Sequence, residues 1–132
     1  MRFSSVMDTY HVSDSASLKA EYAEAEEFSP ARIGTKHVFF RSSLRMRYLP
    51  LHAITRVFRR VEFINASMGC CENSLPMDSV ILCVGEGQEV AQIRMQSERM
   101  SKALLAALEK ACPHAESGYV RDPSQKSAIR YI

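Results

Sequence analysis

Tryptophan is absent from the 132 residues, and glycine and proline number only five each. That scarcity excludes collagen-like and linker-type sequence. Long apolar runs are missing as well. The densest, Val80-Ile81-Leu82-Cys83-Val84 and the stretch from Ala103 to Leu108, fall far short of the roughly 20 residues that cross a bilayer as a helix. Behind Arg2 there is none of the continuous apolar stretch, about 7–15 residues, that a signal peptide needs. The expectation is a soluble, cytoplasmic protein. Excess charge is small too: seventeen basic side chains stand against fifteen acidic ones, a formal +2. A binder that works by neutralising phosphates carries more on a domain of this size, so no nucleic-acid partner is expected.

Motifs that carry chemistry are also lacking. There is no G-x-S-x-G, H-E-x-x-H, P-loop or G-x-G-x-x-G phrase. Gly85-Glu86-Gly87 lacks the third glycine and stands between two strand-like runs, which suits a hairpin turn and not a phosphate cradle. His11, His37, His52 and His114 sit in no catalytic phrase. Of the four cysteines, Cys83 lies in an apolar run and Cys112 near the end of an amphipathic stretch, where free thiols pack as small hydrophobes. Cys70 and Cys71 are neighbours, poorly placed to bridge each other. A metal site from Cys70, Cys71, Cys112 and His114 would lack the C-x-x-C pairs usual for zinc. Reduced structural thiols are the expectation, with no metal, no cofactor and no enzymatic role.

What is present is a pattern for one domain, long enough to remove about two-thirds of the unfolded chain's surface from water. Ser13-Asp14-Ser15 offers capping oxygens to a helix with Leu18, Tyr22 and Ala25 on one stripe, stopped by Pro30. From Arg32 the period changes to two. Strands are expected over Lys36–Arg41 and over Leu44–Tyr48. In the second, Leu44, Met46 and Tyr48 face inward while Arg45 and Arg47 face out. The run from Ile54 to Ile64 breaks its alternation, and a bulge near Arg59 would reconcile its two parities. Asn65 to Asp78 reads as a long loop. Ser79–Val84 and Val90–Met95 then form a hairpin about Gly85 and Gly87. Ser97 caps a helix with Met100, Leu104, Leu105, Leu108 and Cys112 on one face, ended by Pro113. The tail from Glu116 to Ile132 shows no clear pattern and is expected to be partly disordered.

Short antiparallel strands closed by a late amphipathic helix suggest an α+β, mainly antiparallel split barrel, with the helix plugging its open corner. Two phrases carry a further resemblance. Thr35-Lys36-His37-Val38-Phe39-Phe40 is followed by a strand ending Tyr48-Leu49-Pro50, and that leads to Ile54-Thr55-Arg56-Val57. Over residues 32–114 the chain resembles the bacterial pleckstrin-homology-like (PH-like) domains. The resemblance implies a PH-like domain at 31–114, preceded by an N-terminal segment with its helix at 1–30 and followed by a tail at 115–132. Domains of this superfold bind proteins or lipids and are rarely catalytic.

The arginines are the remaining clue. Arg41, Arg45, Arg47, Arg56, Arg59 and Arg60 fall within twenty residues, with Glu62 the nearby acid. Lys36 followed by Arg45-x-Arg47 is similar to the phosphoinositide-binding signature of eukaryotic PH domains, in which basic side chains clamp ring phosphates. An ordinary polar sheet face would use the same residues. The expected function is a non-enzymatic module that binds a protein partner or self-associates, through a free sheet edge or the stripe of the first helix. The alternative is an anionic ligand or phospholipid headgroup held by Lys36, Arg45, Arg47, Arg59 and Arg60, with peripheral membrane contact.

Overall fold

The structure, a computed structural model, describes residues 3–42, 44–65, 74–117 and 130–131. The first helix, α1 (Ser15–Glu24), starts where its cap allows. The Asp14 carboxylate accepts hydrogen bonds from the N–H groups of Ala16 and Ser17 at 3.1 and 3.3 Å, satisfying donors that a first helical turn leaves open. The helix ends at Ala25, well before the expected stop at Pro30. Residues Glu26–Phe28 form strand β2, which pairs antiparallel with β3 (Ala31–Ile33). Phe28 packs against the main core, and pairing with β3 satisfies backbone groups that another helical turn would otherwise have used.

Among the described residues two sheets follow, and neither closes into a barrel. The first has the order β1 (Phe3–Ser5), β5 (Arg45–Pro50), β4 (His37–Ser42), β3, β2. Only the β1–β5 pairing is parallel. A short 3₁₀ turn at Leu51–Ala53 leads to the second sheet, the antiparallel run β6 (Ile54–Asn65), β7 (Ser74–Val84), β8 (Gln88–Met95). Helix α2 (Glu98–Ala111) comes next, with Ser97 capping Met100 N–H at 3.2 Å, Glu98 in its first turn and Lys110 in its last. The ends of the tail both lie along β6: β9 (Glu116–Ser117) parallel, β10 (Arg130–Tyr131) antiparallel. The expected disorder of the tail falls largely on residues outside the described ones, as do Cys70 and Cys71. No helix among the described residues is long and apolar enough to cross a membrane.

The main core lies between the sheets and α2. Val38, Phe40 and Leu49 meet Val57, Val80, Leu82 and Ile93 there, with Leu104, Leu108 and Cys112 from the helix. A second core lies on the other face of the first sheet. Leu18 of α1 buries against Phe39, Met46 and Tyr48, joined by Phe3, Tyr10, Val12 and Tyr22. The apolar stripe of α1 is thus taken up within the molecule. Strands β1 and β2 also join the first sheet, so residues 3–30 are built into the same unit.

Two-sided burial corrects two expectations, and the length of β7 corrects a third. Strand β5 is not half-exposed: Met46 and Tyr48 face α1, while Leu49, of the same parity as Arg45 and Arg47, faces the main core. Leu44 leaves that pattern and stands in the turn. The broken alternation of β6 needs no bulge at Arg59, which pairs in regular register with Val80. Val57 and Val61 point to one face, while Phe58 joins Ile81 and Cys83 in a small buried cluster on the other. The register shifts lie instead between Ile54 and Arg56, and at Leu82/Cys83 opposite β8. The expected loop from Asn65 is shorter than its pattern suggested, because β7 already begins at Ser74 and continues through Asp78. The hairpin at Gly85 and Gly87 forms as expected, with φ of 58° and 102°, values that favour glycine.

Cys112 is buried against Leu51, its thiol 3.6 Å from that carbonyl oxygen. Burial pushes this thiol from an ordinary 9.0 up to about 11, and raises Cys83 as well. The folded chain holds this proton to higher pH than the unfolded chain does. Its contribution is therefore fully present below pH 9 and is lost as pH rises through about 11, a loss of about 3 kcal/mol. Urea melts between these pH values are expected to show the fall, and Cys112→Ala to flatten it.

Candidate functional site

The structure does not assemble the expected basic clamp. The carbonyl of Lys36 accepts the N–H of Leu51 at 2.9 Å, which sets Lys36 level with the far end of β5. Arg47 and Arg45 lie four and six residues further along, roughly 13 and 20 Å away at the rise of a strand. The hairpin register thus holds Lys36 and the arginines at opposite ends. Arg47 donates from Nη2 to the Ser5 carbonyl at 3.2 Å, bracing β1.

Arg59 and Arg60 belong to the other sheet and point to its opposite faces. Arg59 is 4% exposed. Its Nε donates to Asp78, and its Nη1 lies 3.4 Å from Glu98 at the start of α2, which also pairs with Lys102 at 3.1 Å. Beside this pair runs a cleft of about 620 Å³ lined by Val61, Met77, Arg94, Met95 and Ser97 among others. Arg60 reaches Glu89 at 2.7 Å and lies over the Phe58 ring. Both arginines are thus engaged by carboxylates of their own chain.

The most concentrated polar constellation is one that sequence reasoning missed. His37 is 3% exposed, inside the second core. Its Nδ1 lies 2.7 Å from Glu21 Oε1 and its Nε2 lies 2.8 Å from the Tyr10 hydroxyl. An ionised carboxylate only accepts, so Nδ1–H donates to Glu21 and, in the neutral ring, Nε2 takes the phenol proton's hydrogen bond. Glu21 Oε2 accepts two more bonds, from the N–H groups of Lys36 at 3.0 Å and His37 at 2.8 Å. Around them, Tyr48 stacks edge-on at 5.4 Å from His37 and accepts Val12 N–H at 2.9 Å, while His52 flanks Tyr10. Gly34 admits the carboxylate: a Cβ at that position would come within 2.9 Å of Glu21 Cδ.

The carboxylate–imidazole–phenol order is that of a proton relay, and its terminal group decides what it can do. Burial, then Tyr48 and Glu21, raise the Tyr10 phenol above its ordinary 10.0. The phenolate is disfavoured there, which suits a hydrogen-bond donor and not a nucleophile. The three groups join the N-terminal strap (residues 6–14, between β1 and α1), α1 and β4, and their chemistry is that of a clasp. In the sequence, the signals were a buried-strand histidine and a glutamate on the apolar side of a helix, sixteen residues apart. Among the described residues, no group of three or more His, Cys, Asp or Glu could hold a metal ion.

A family model matches residues 3–126. The chain belongs to the family described as Domain of unknown function (DUF6709). No curated protein and no solved structure matches it. The DUF6709 match begins at β1, so the strap and α1 that carry Tyr10 and Glu21 fall inside the family's unit together with the first sheet and all of the second except β10.

Proposed function

We propose that this DUF6709 chain is a cytoplasmic, non-enzymatic interaction module of PH-like type that self-associates through the edge of β8. The order of elements supports the PH-like reading. A four-stranded meander, β2 to β5, is followed by a three-stranded one, β6 to β8, and then by a helix packed between the sheets. β1, β9 and β10 are additions to that plan. The clasp supports the non-enzymatic reading, since its three polar groups are spent on each other.

The observation that carries the proposal is the edge itself. Among the described residues β8 pairs only with β7, leaving one side of an eight-residue strand open. Such an edge accepts another strand readily. A second copy is the occupant its pattern fits. Antiparallel pairing centred on Gln92 sets Ile93 of one copy against Ala91 of the other on the inner face. It also brings each Arg94 beside the partner's Glu89–Val90 step, where β8 bulges. The bulge shortens the free edge, and two-fold symmetry closes the assembly.

Size-exclusion chromatography with light scattering on the full chain tests this, with Gln92→Lys as the variant. Gln92 is exposed, and its amide donates to Glu62 and to the Ser79 hydroxyl at 3.1 Å each, so the change places two like charges across the two-fold axis and gives up the bond to Ser79. The expected result is a dimer for the parent at about 100 μM and a folded monomer for the variant, its melting lowered by no more than the loss of about one hydrogen bond. A monomeric parent at that concentration removes the proposal.

A further inference from the structure

We infer that the turn between β4 and β5 is a docking tip for an anionic lipid surface, with Leu44 entering the interface and Arg41 and Arg45 holding phosphates. Leu44 is 97% exposed, against 40% for Phe63, the other large exposed hydrophobic side chain among the described residues. A single exposed leucine is ordinary on a protein surface. Its surroundings make the difference here. Arg41 is the last residue but one of β4 and Arg45 begins β5, and both are exposed. Arg41 registers with Met46 and Arg45 with Ser42, so alternation sends the two side chains to opposite faces, one guanidinium on each side of the apex. Neither has an ion pair or side-chain hydrogen bond among the described residues. From Phe28 to Val61 the sequence contains no carboxylate. Glu27, which shares a cleft with Arg41, is held by Arg32 at 3.3 Å.

The chemistry of the tip selects the partner: an almost fully exposed leucine stands between two exposed guanidinium groups. A layer of anionic headgroups over hydrocarbon satisfies both parts together: guanidinium groups take phosphate oxygens, and the leucine enters the apolar boundary just beneath. One apolar side chain and a few charges give reversible docking, not a permanent anchor. The tip lies on the first sheet, so this inference stands independently of the β8 edge.

The absence of tryptophan makes the test direct, because Leu44→Trp installs the only indole in the chain. Vesicles of phosphatidylcholine with about one-third phosphatidylglycerol are expected to shift its emission to the blue at low salt. Pure phosphatidylcholine is expected to leave it unchanged, and added salt to reverse the shift. A reporter at Gln88→Trp, on the second sheet, is expected not to respond. With the parent chain in co-sedimentation, Arg41→Gln and Arg45→Gln are each expected to weaken binding about fivefold, and Leu44→Ser about tenfold. Failure of the folded chain to bind anionic vesicles at low salt overturns the inference and leaves Leu44 to a protein contact. Binding undiminished by Leu44→Ser, or equal on uncharged vesicles, overturns it as well.

Discussion

Asp78→Ala is expected to cost about 3–5 kcal/mol of folding stability, the range for removing one partner of a buried ion pair. The Arg59 side chain is 5% exposed and its Nε bond goes to Asp78. Asp78 itself registers with Val61 on one side and Met95 on the other, both in the main core or at its edge. Without the carboxylate a guanidinium, which keeps its charge at any working pH, is left in a largely apolar site. Glu98 compensates in part from 3.4 Å, but it is far more exposed. In urea the midpoint should fall with little change in slope, since the surface exposed on unfolding hardly alters. The double change Arg59→Met with Asp78→Leu should restore most of the loss, because it removes the desolvated charge together with its partner. By contrast, Arg32→Ala breaks a pair whose side chains are 29% and 60% exposed, and its ion-pair part should cost under about 1 kcal/mol. A loss that small at Asp78 would mean that Arg59 is solvated and free to meet a ligand.

Local signals were the legible part of this fold. Helix α2 is written in neighbouring residues: a serine cap, a glutamate in the first turn, a stripe at helical spacing and a proline after the end. The hairpin at Gly85 and Gly87 needs only positive φ and flanking alternation. What stayed hidden depends on who covers whom. Strands β1, β2 and β3 are three residues long, too short to show a period, and β2 was absorbed into the helical pattern before it. The parity of β5 assigns Arg45 and Arg47 to one face, but alternation alone cannot say that both faces are covered. β6 shows the same limit: Val57 and Phe58 fill different clusters, and only the arrangement of the second sheet shows that neither needs a bulge. Arg59 and Arg60 read as exposed cations because their carboxylates, Asp78, Glu98 and Glu89, lie far along the chain. The clasp is the extreme case, since Tyr10, Glu21 and His37 meet only once the strap and α1 have docked on β4.

That clasp supplies the other large expected effect. Gly34→Ala should destabilise the fold by about 3 kcal/mol, although its backbone lies outside the positive-φ region where alanine is strained. The cost comes from the neighbour. The new Cβ would occupy the space of the Glu21 side chain, 2.7 Å from its Cγ and 2.9 Å from its Cδ. To give way, the carboxylate must release Lys36 N–H, His37 N–H and His37 Nδ1. Two of those donors belong to a residue buried in the second core, and unsatisfied buried donors are costly. Glu21→Ala should cost a similar amount by removing the acceptor outright. The decisive measurement is the pair. If both changes act through one carboxylate, Gly34→Ala in the Glu21→Ala background should cost little more, a coupling of about 2 kcal/mol or greater. Tyr10→Phe, which removes one hydrogen bond at the relay's end, should cost about 1 kcal/mol. Two single losses that simply add would place the strain in the backbone at Gly34, and the carboxylate would no longer be what joins α1 to β4.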